Sequence, residues 1–427
     1  MRPPLRLATV LLVLTGACRT AEPSPAPSAV PDAGRILHDI AWLADDRLEG
    51  RGTGTAGNDS AAAWLARRHA ALGVRPLGDR AGYVQVFTAR SAQMAHAGQA
   101  EGVTTRNVLG LIPGRDPALR GEYVVIGAHF DHLGRSAANA MDPEARDAVR
   151  NGADDNASGT AAVLELARLL VARPARRPVV VAHFSGEEVG LLGSQWFVDH
   201  PPVSLDSAVA MVNFDMVGRL RNDKLIVYGV ATARELPAIL DSANVAPRLA
   251  ISAVGDGFGP SDQSSFYARG VPVLHFFTGL HDDYHRASDD VAKINAAGEA
   301  RVVALAERVV RAIADRPAPV TPVRMAARAP AAGGREGSSV YLGTVPDMSA
   351  GDAPGLRLTG VRSGSPADAG GLRAGDVIIA LGGRPVKHLY SYSDALYAHQ
   401  PGDRVDILFV RAGERRAITV TLGRRGP

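Results

Sequence analysis

Four runs in the chain are almost unbroken apolar sequence rich in β-branched residues. They are EYVVIGAH (Glu122–His129), RRPVVVAHFS (Arg176–Ser185), SAVAMVNFDMVG (Ser207–Gly218) and VPVLHFF (Val271–Phe277). Side chains alternate between the two faces of a strand, so a run without polar alternation must be covered on both sides. Parallel sheets flanked by helices meet that demand. Helical patterns alternate with the runs, over Ala157–Val171, Leu191–Val198 and Ala296–Ala314. The alternation predicts an α/β domain, a three-layer αβα stack around a mostly parallel mixed sheet. A hydrophobic fraction of 46% is ample for such a core.

In these sheets ligands bind beyond the carboxyl ends of the strands. The first run ends in HFDHLG, with His129, Asp131 and His132, and the second in SGEEVG, with Glu187 and Glu188. Asp215 closes the third run, and the fourth leads into LHDDYH, with His281, Tyr284 and His285. NGADDNASG, carrying Asp154 and Asp155, stands just before the first helical pattern. Each motif alone has a plain structural reading: Asp, Asn and Ser cap helices, acids suit the helix N-terminus, and a strand histidine can be a packing residue. His183 and His275, inside strands, are read that way. Jointly, the strand ends gather oxygen and imidazole donors with no thiolate, a set that suits Zn²⁺ and also Mn²⁺ or Co²⁺. A hydrolytic two-metal clamp needs one carboxylate shared between the ions. One aspartate of the Asp154–Asp155 pair can serve as that bridge while its neighbour shapes the loop.

The order of these motifs resembles the co-catalytic zinc aminopeptidases, a group that also includes glutamate carboxypeptidase and the glutaminyl cyclases. The resemblance spans about Ile36 to Asp315, and LADDRLEGRGTGTAGN is similar to the group's N-terminal stretch. It implies two zinc ions. His129 and Asp215 hold one metal, Glu188 and His285 the other, and Asp154 bridges them, followed by Asp155 across a cis peptide. Glu187 is the general base, Asp131 holds the ring of His129, and Tyr284 donates to the oxyanion. Gln263, in SDQSSF, stands where members often carry histidine and replaces none of the five metal ligands.

The C-terminal stretch contains VYLGTVPDM and then SPADAGGLRAGDVIIALGG. It resembles a PDZ domain, with Tyr341–Thr344 as the loop that holds a peptide carboxylate and the sheet edge as the place where a peptide adds a strand. The N-terminus, MRPPLRLATVLLVLTGAC, has a basic start and an apolar run too short to span a bilayer as a mature helix. It ends like a bacterial lipoprotein processing site, at the only cysteine, Cys18. Two stretches rich in Pro and Ala, Arg19–Gly34 and Arg316–Gly337, read as tether and linker. The expected order is therefore a signal with lipid-bearing cysteine (1–18), a tether (19–34), a metallopeptidase domain (35–315), a linker (316–337) and a PDZ domain (338–427).

A formal net charge of +3, carried by scattered arginines, does not suggest a nucleic-acid partner. The reading is an exported, envelope-bound exopeptidase acting on peptides with a free N-terminus. A carboxypeptidase or dipeptidase on the same metals is the nearest rival. A glutaminyl cyclase or an inactive PDZ adaptor fits the full donor set less well. Neither G-x-S-x-G nor H-E-x-x-H occurs, so serine and single-zinc protease chemistry lack support.

Overall fold

The four apolar runs become four adjacent strands at the centre of one sheet. A computed structural model describes residues 30–91, 101–136, 140–142, 144–257, 259, 261–323, 340–346, 355–361, 364–386, 389–396 and 398–424. Cys18, the signal, most of the tether and residues 324–337 of the linker lie outside the described residues. The first helix, α1 (Ala33–Leu43), starts within the stretch read as tether, capped by the Asp32 carboxylate on Arg35 N.

The sheet of the larger domain has nine strands: β1 (Arg75–Pro76), β2 (Val84–Ala89), β3 (Val103–Ile112), β4 (Tyr123–His129), β5 (Val179–Phe184), β6 (Ala208–Phe214), β7 (Lys224–Tyr228), β8 (Ala250–Val254) and β9 (Val273–Phe277). Their order is β1-β3-β5-β4-β6-β9-β7-β8, with β2 also on β3. Neighbours within β5-β4-β6-β9 are parallel, as are β7 and β8. The remaining pairs are antiparallel, so the sheet is mixed but parallel at its centre.

Alternation along the strands divides the core in two. Val124, Ile126 and Ala128 of β4 face one side, packing with helices α1, α2 (Ala56–Leu72), α3 (Gly159–Ala172), α5 (Leu236–Ala243) and α7 (Ala296–Ala314). Tyr123 and Val125 face the other, with Phe197 of α4 (Leu192–Asp199) and Phe266 of α6 (Gln263–Ala268). The three-layer αβα architecture follows from that division. Among the described residues, no helix is long and apolar enough to cross a membrane.

The smaller domain has its own core, including Leu342, Leu358, Ile378, Ile407 and Phe409. Strands β10 (Val340–Tyr341), β11 (Thr344–Pro346), β12 (Leu356–Val361), β13 (Val377–Leu381), β14 (Arg384–Pro385), β15 (Arg404–Arg411), β16 (Glu414–Thr421) and β17 (Gly423–Arg424) all pair antiparallel. Helices α8 (Pro366–Ala369) and α9 (Leu389–Leu396) complete it. Gly343, in the loop before β11, has φ +83°, and a Cβ there would lie 2.2 Å from Ser365 Cβ, so only glycine fits.

Candidate metal centre

Because β5, β4, β6 and β9 run parallel, their C-terminal ends share one edge. His129 is the last residue of β4, Asp215 follows β6, and Glu187 and Glu188 follow β5. His285 arrives on the loop after β9 with φ +55°. All five are brought together, and all are buried or nearly so.

Asp154 is not among them. Its Oδ1 accepts from Gly218 N at 2.7 Å and Ser158 Oγ at 3.0 Å, and its Oδ2 faces His281 Nε2 at 3.1 Å. The carboxylate between the two sides of the cluster is Asp155. Its Oδ1 lies 3.5 Å from His129 Nε2, and its Oδ2 lies 3.2 Å from His285 Nε2. The place between the two sides that was expected of Asp154 is thus occupied by Asp155, and the cis peptide falls at Asp155–Asn156 rather than Asp154–Asp155. The reason is the irregular turn Ala153–Ser158. Asp289 Oδ2 accepts from the amides of both Asp154 and Asp155 at 3.0 Å, while Asn156 Nδ2 donates to Phe214 O at 2.9 Å. Held at both ends, the turn directs one acid into the protein and the next toward the strand ends.

Two donor sets result. Around His129 Nε2 stand Asp155 Oδ1 at 3.5 Å, Asp215 Oδ2 at 3.6 Å and Glu187 Oε2 at 3.9 Å. That nitrogen is buried without a hydrogen-bond partner among the described residues, as is Asp215 Oδ1. Around His285 Nε2 stand Asp155 Oδ2 and Glu188 Oε2, each at 3.2 Å. Tetrahedral zinc with ligands at about 2.0–2.2 Å separates its donors by roughly 3.3 Å. His129, Asp155 and Asp215 form one group of donor atoms within 4.8 Å of one another, and His132, Asp155 and Glu188 form another, with His132 Nδ1 3.8 Å from Asp155 Oδ2, so the residues fit zinc. His132 Nδ1 also reaches this side, 2.6 Å from Glu188 Oε1.

The surrounding groups orient these donors. Asp131 receives His129 Nδ1 on its backbone oxygen at 3.1 Å, with its carboxylate at 3.7 Å. That carboxylate in turn accepts from Thr53 Oγ1 at 2.8 Å and Glu187 N at 3.2 Å. Tyr284 stacks on the His285 ring, with centroids 3.8 Å apart. Arg219 joins Asp283 and Asp289, tying the loop after β6 to the loop after β9. Gln263 is buried and accepts from Asn213 Nδ2 at 3.1 Å; it touches no metal donor through that bond. His275 packs against Tyr228 and Phe277, and Asn213 Nδ2 meets its Nδ1 at 3.2 Å.

Arg51 lay within a motif noted in the sequence, but its role was not legible there. Fully buried, it donates to four carbonyls: Phe130, Leu43, Asn151 and Gly152. It thereby fastens the loop after β4 to the loop that carries Asp155. Burial pulls its guanidinium down to about 10, so it stays charged at neutral pH and offsets the nearby acids.

Charge is concentrated at the cluster. Burial, with the charges of Glu188 and Asp215, raises Glu187 well above the usual glutamate range. Burial opposes ionisation of Glu188 too, but His285 and His132 outweigh it and hold that carboxyl well below its ordinary value. Burial works against a charged His129 and His285, yet the facing carboxylates lift both well above the ordinary imidazole range. An edge this rich in buried negative charge is what a divalent cation neutralises.

A carboxylate shared by two imidazole–carboxylate sets, at the carboxyl edge of a mostly parallel sheet, defines a candidate binuclear metal domain. Residues 107–310 match the model of peptidase family M28, and residues 340–422 match that of the PDZ domain. The larger domain is thus similar to the M28 peptidases and the smaller one to PDZ domains. The chain is 30% identical over 198 residues to leupeptin-inactivating enzyme 1 of Streptomyces exfoliatus, which aligns 45% of this chain with 40% of that protein. It is 27% identical over 205 residues to aminopeptidase YwaD of Bacillus subtilis, with 45% and 41% covered. The chain thus spans about two-fifths of the length of these curated relatives. The structure of BSAP, a zinc aminopeptidase from Bacillus subtilis, shares the fold with a TM-score of 0.55 at 18% identity, covering 68% of this chain and 96% of that one.

Proposed function

We propose that the protein is a two-zinc aminopeptidase that removes N-terminal residues from peptides. The observation that carries this reading is the position of Asp155, whose two oxygens face two separate donor sets. His129 and Asp215 would hold one zinc, Glu188 and His285 the other, and Asp155 both. When bound, the zinc pair supplies Lewis acidity, polarising the scissile carbonyl and making water a nucleophile near neutral pH. Glu187 stands beside the first donor set and serves as the general base, taking the proton from water and returning it to the leaving amine. Its neighbour Glu188 is held toward His285 and His132, so the two adjacent acids divide the work. Tyr284, stacked on His285, is proposed to donate to the oxyanion.

Both the names of the aminopeptidase relatives and the acidity of the site favour a free α-amine, which as a cation is attracted to Glu187 and Asp215. The test is a panel of peptides, free and N-acetylated, with purified full-length protein and zinc. Free peptides should lose their N-terminal residue and acetylated ones should stay intact. Equal cleavage of both from the C-terminal side would assign a carboxypeptidase, and cyclisation of N-terminal glutamine without hydrolysis a glutaminyl cyclase.

The protein is further proposed to be exported and anchored in the bacterial envelope by lipid on Cys18, on the strength of its signal-like N-terminus. Labelled palmitate should enter the wild type and not Cys18→Ala; equal labelling of the two would end this reading. The PDZ domain is proposed to capture peptide C-termini at the Tyr341–Thr344 loop and bring substrates to the peptidase domain.

A further inference from the structure

Two imidazoles face Glu188. His285 Nε2 lies 3.2 Å from Oε2, and His132 Nδ1 lies 2.6 Å from Oε1. The proposed zinc ligands do not include His132. Its side chain is fully buried, and its Nε2 has no hydrogen-bond partner among the described residues.

The fold makes a specific place for this ring. Gly152 has φ +56°, and a Cβ there would come within 2.5 Å of His132 Cγ and Cδ2, so the glycine of NGADD is required by His132 as well as by the turn. The His132 amide donates to Arg51 O at 3.4 Å, and the ring meets His285 edge-on with centroids 5.7 Å apart. An ionised Glu188 calls for the tautomer with the proton on Nδ1. The other nitrogen, Nε2, is then an unprotonated acceptor, and no N–H is left buried without a partner.

We propose that His132 is a positioning residue for the second zinc: it donates Nδ1–H to Glu188 Oε1 and so presents Oε2 alone to the metal shared with His285 and Asp155. A carboxylate pinned at one oxygen does not swing to grip the ion with both, and it stays apart from Glu187. Hydrogen bonds of this kind to metal ligands typically change affinity by about 10–100-fold.

The inference rests on the two-zinc reading, and zinc titration of the metal-free full-length protein separates the two. Calorimetry against a competing chelator should give two zinc ions for the wild type. In His132→Ala the second zinc should weaken by about 10–100-fold while the first keeps its affinity, which also reports an intact fold. His132→Asn places an amide N–H where Nδ1 stands and should recover most of the loss. If Asn binds the second zinc as poorly as Ala, His132 is a ligand itself and the positioning role is overturned. If Ala binds both ions like the wild type, the ring only fills space. If Ala loses both through misfolding, the Asn variant decides: retained second-site affinity supports the proposal and its loss overturns it. A wild type that binds fewer than two zinc ions sinks the two-zinc reading itself, and this proposal with it.

Discussion

Asp154 and Asp155 are the same residue type one position apart, yet they have opposite surroundings. Asp154 accepts from Gly218 N and Ser158 Oγ and carries the turn. Asp155 shares its oxygens between His129 and His285. Asp155→Asn should therefore lose zinc from both positions in elemental analysis, because the amide offers one weak oxygen in place of a shared carboxylate. Asp154→Asn should keep near-full zinc and lose some stability. The reverse pattern would restore Asp154 as the bridge. Glu187 differs again, lying 3.9 Å from His129 Nε2, farther than Asp155 and Asp215. Glu187→Gln should retain zinc and lose about 10²–10⁴-fold in kcat, since glutamine keeps the shape and cannot accept a proton. Near-normal turnover at full zinc occupancy would remove it from the base role.

Between elements, the contact of α2 with the sheet holds a pair of histidines that take no part in the chemistry. His69, near the end of α2, and His183, in β5, have ring centroids 5.1 Å apart. Both are fully buried, and none of their four ring nitrogens has a hydrogen-bond partner among the described residues. Burial pushes His69 down to about 3 and His183 well below its ordinary value. Both are neutral in the folded chain, whereas in the unfolded chain each titrates near ~6.5. Below that pH the unfolded chain binds protons that the folded chain refuses. The stability each neutral ring contributes is thus complete above pH ~6.5 and is lost as the pH falls from there toward the folded value, at about 1.4 kcal/mol per pH unit for each ring. In urea unfolding at pH 7 and pH 5, His69→Leu should lose distinctly less stability on acidification than the wild type. Equal losses would show that the pair does not sense pH.

For the whole molecule, the cores of the two domains share no residue, those of the larger lying within Ile36–Val320 and that of the smaller within Val340–Leu422. Each is covered by its own elements, so unfolding should be two separable events rather than one. All the proposed zinc donors belong to the larger domain. Binding to the folded form alone stabilises by about 2.7 kcal/mol when free ligand is 100-fold above Kd. Scanning calorimetry with zinc and then with excess chelator should shift one transition and leave the other in place. A single transition that moves as a unit would mean the domains unfold together.

Much of this was legible in the sequence because burial leaves a local mark. A strand covered on both faces must be apolar at every position, so VVIGAH and VVVAHF declared the parallel centre of the sheet. Once the strands were known to be parallel, His129, Glu187, Glu188 and Asp215 had to meet at one edge, since each ends or follows a strand of the same direction. The loop-borne His285 and the PDZ-like tail were legible through resemblance, which matches motifs rather than contacts. What the sequence could not rank was identity within a motif. Both acids of the DD pair satisfy any rule of composition or spacing, and the choice fell to Asp289, which lies 134 positions from Asp155 and receives its amide. His132 took its place at Glu188 from 56 positions away, and Arg51 gathered carbonyls as far as 101 positions along the chain. Local pattern determines which segments are buried and where donors stand along them. Which oxygen points at which neighbour is set by hydrogen bonds between distant segments, and those exist only once the chain has closed on itself.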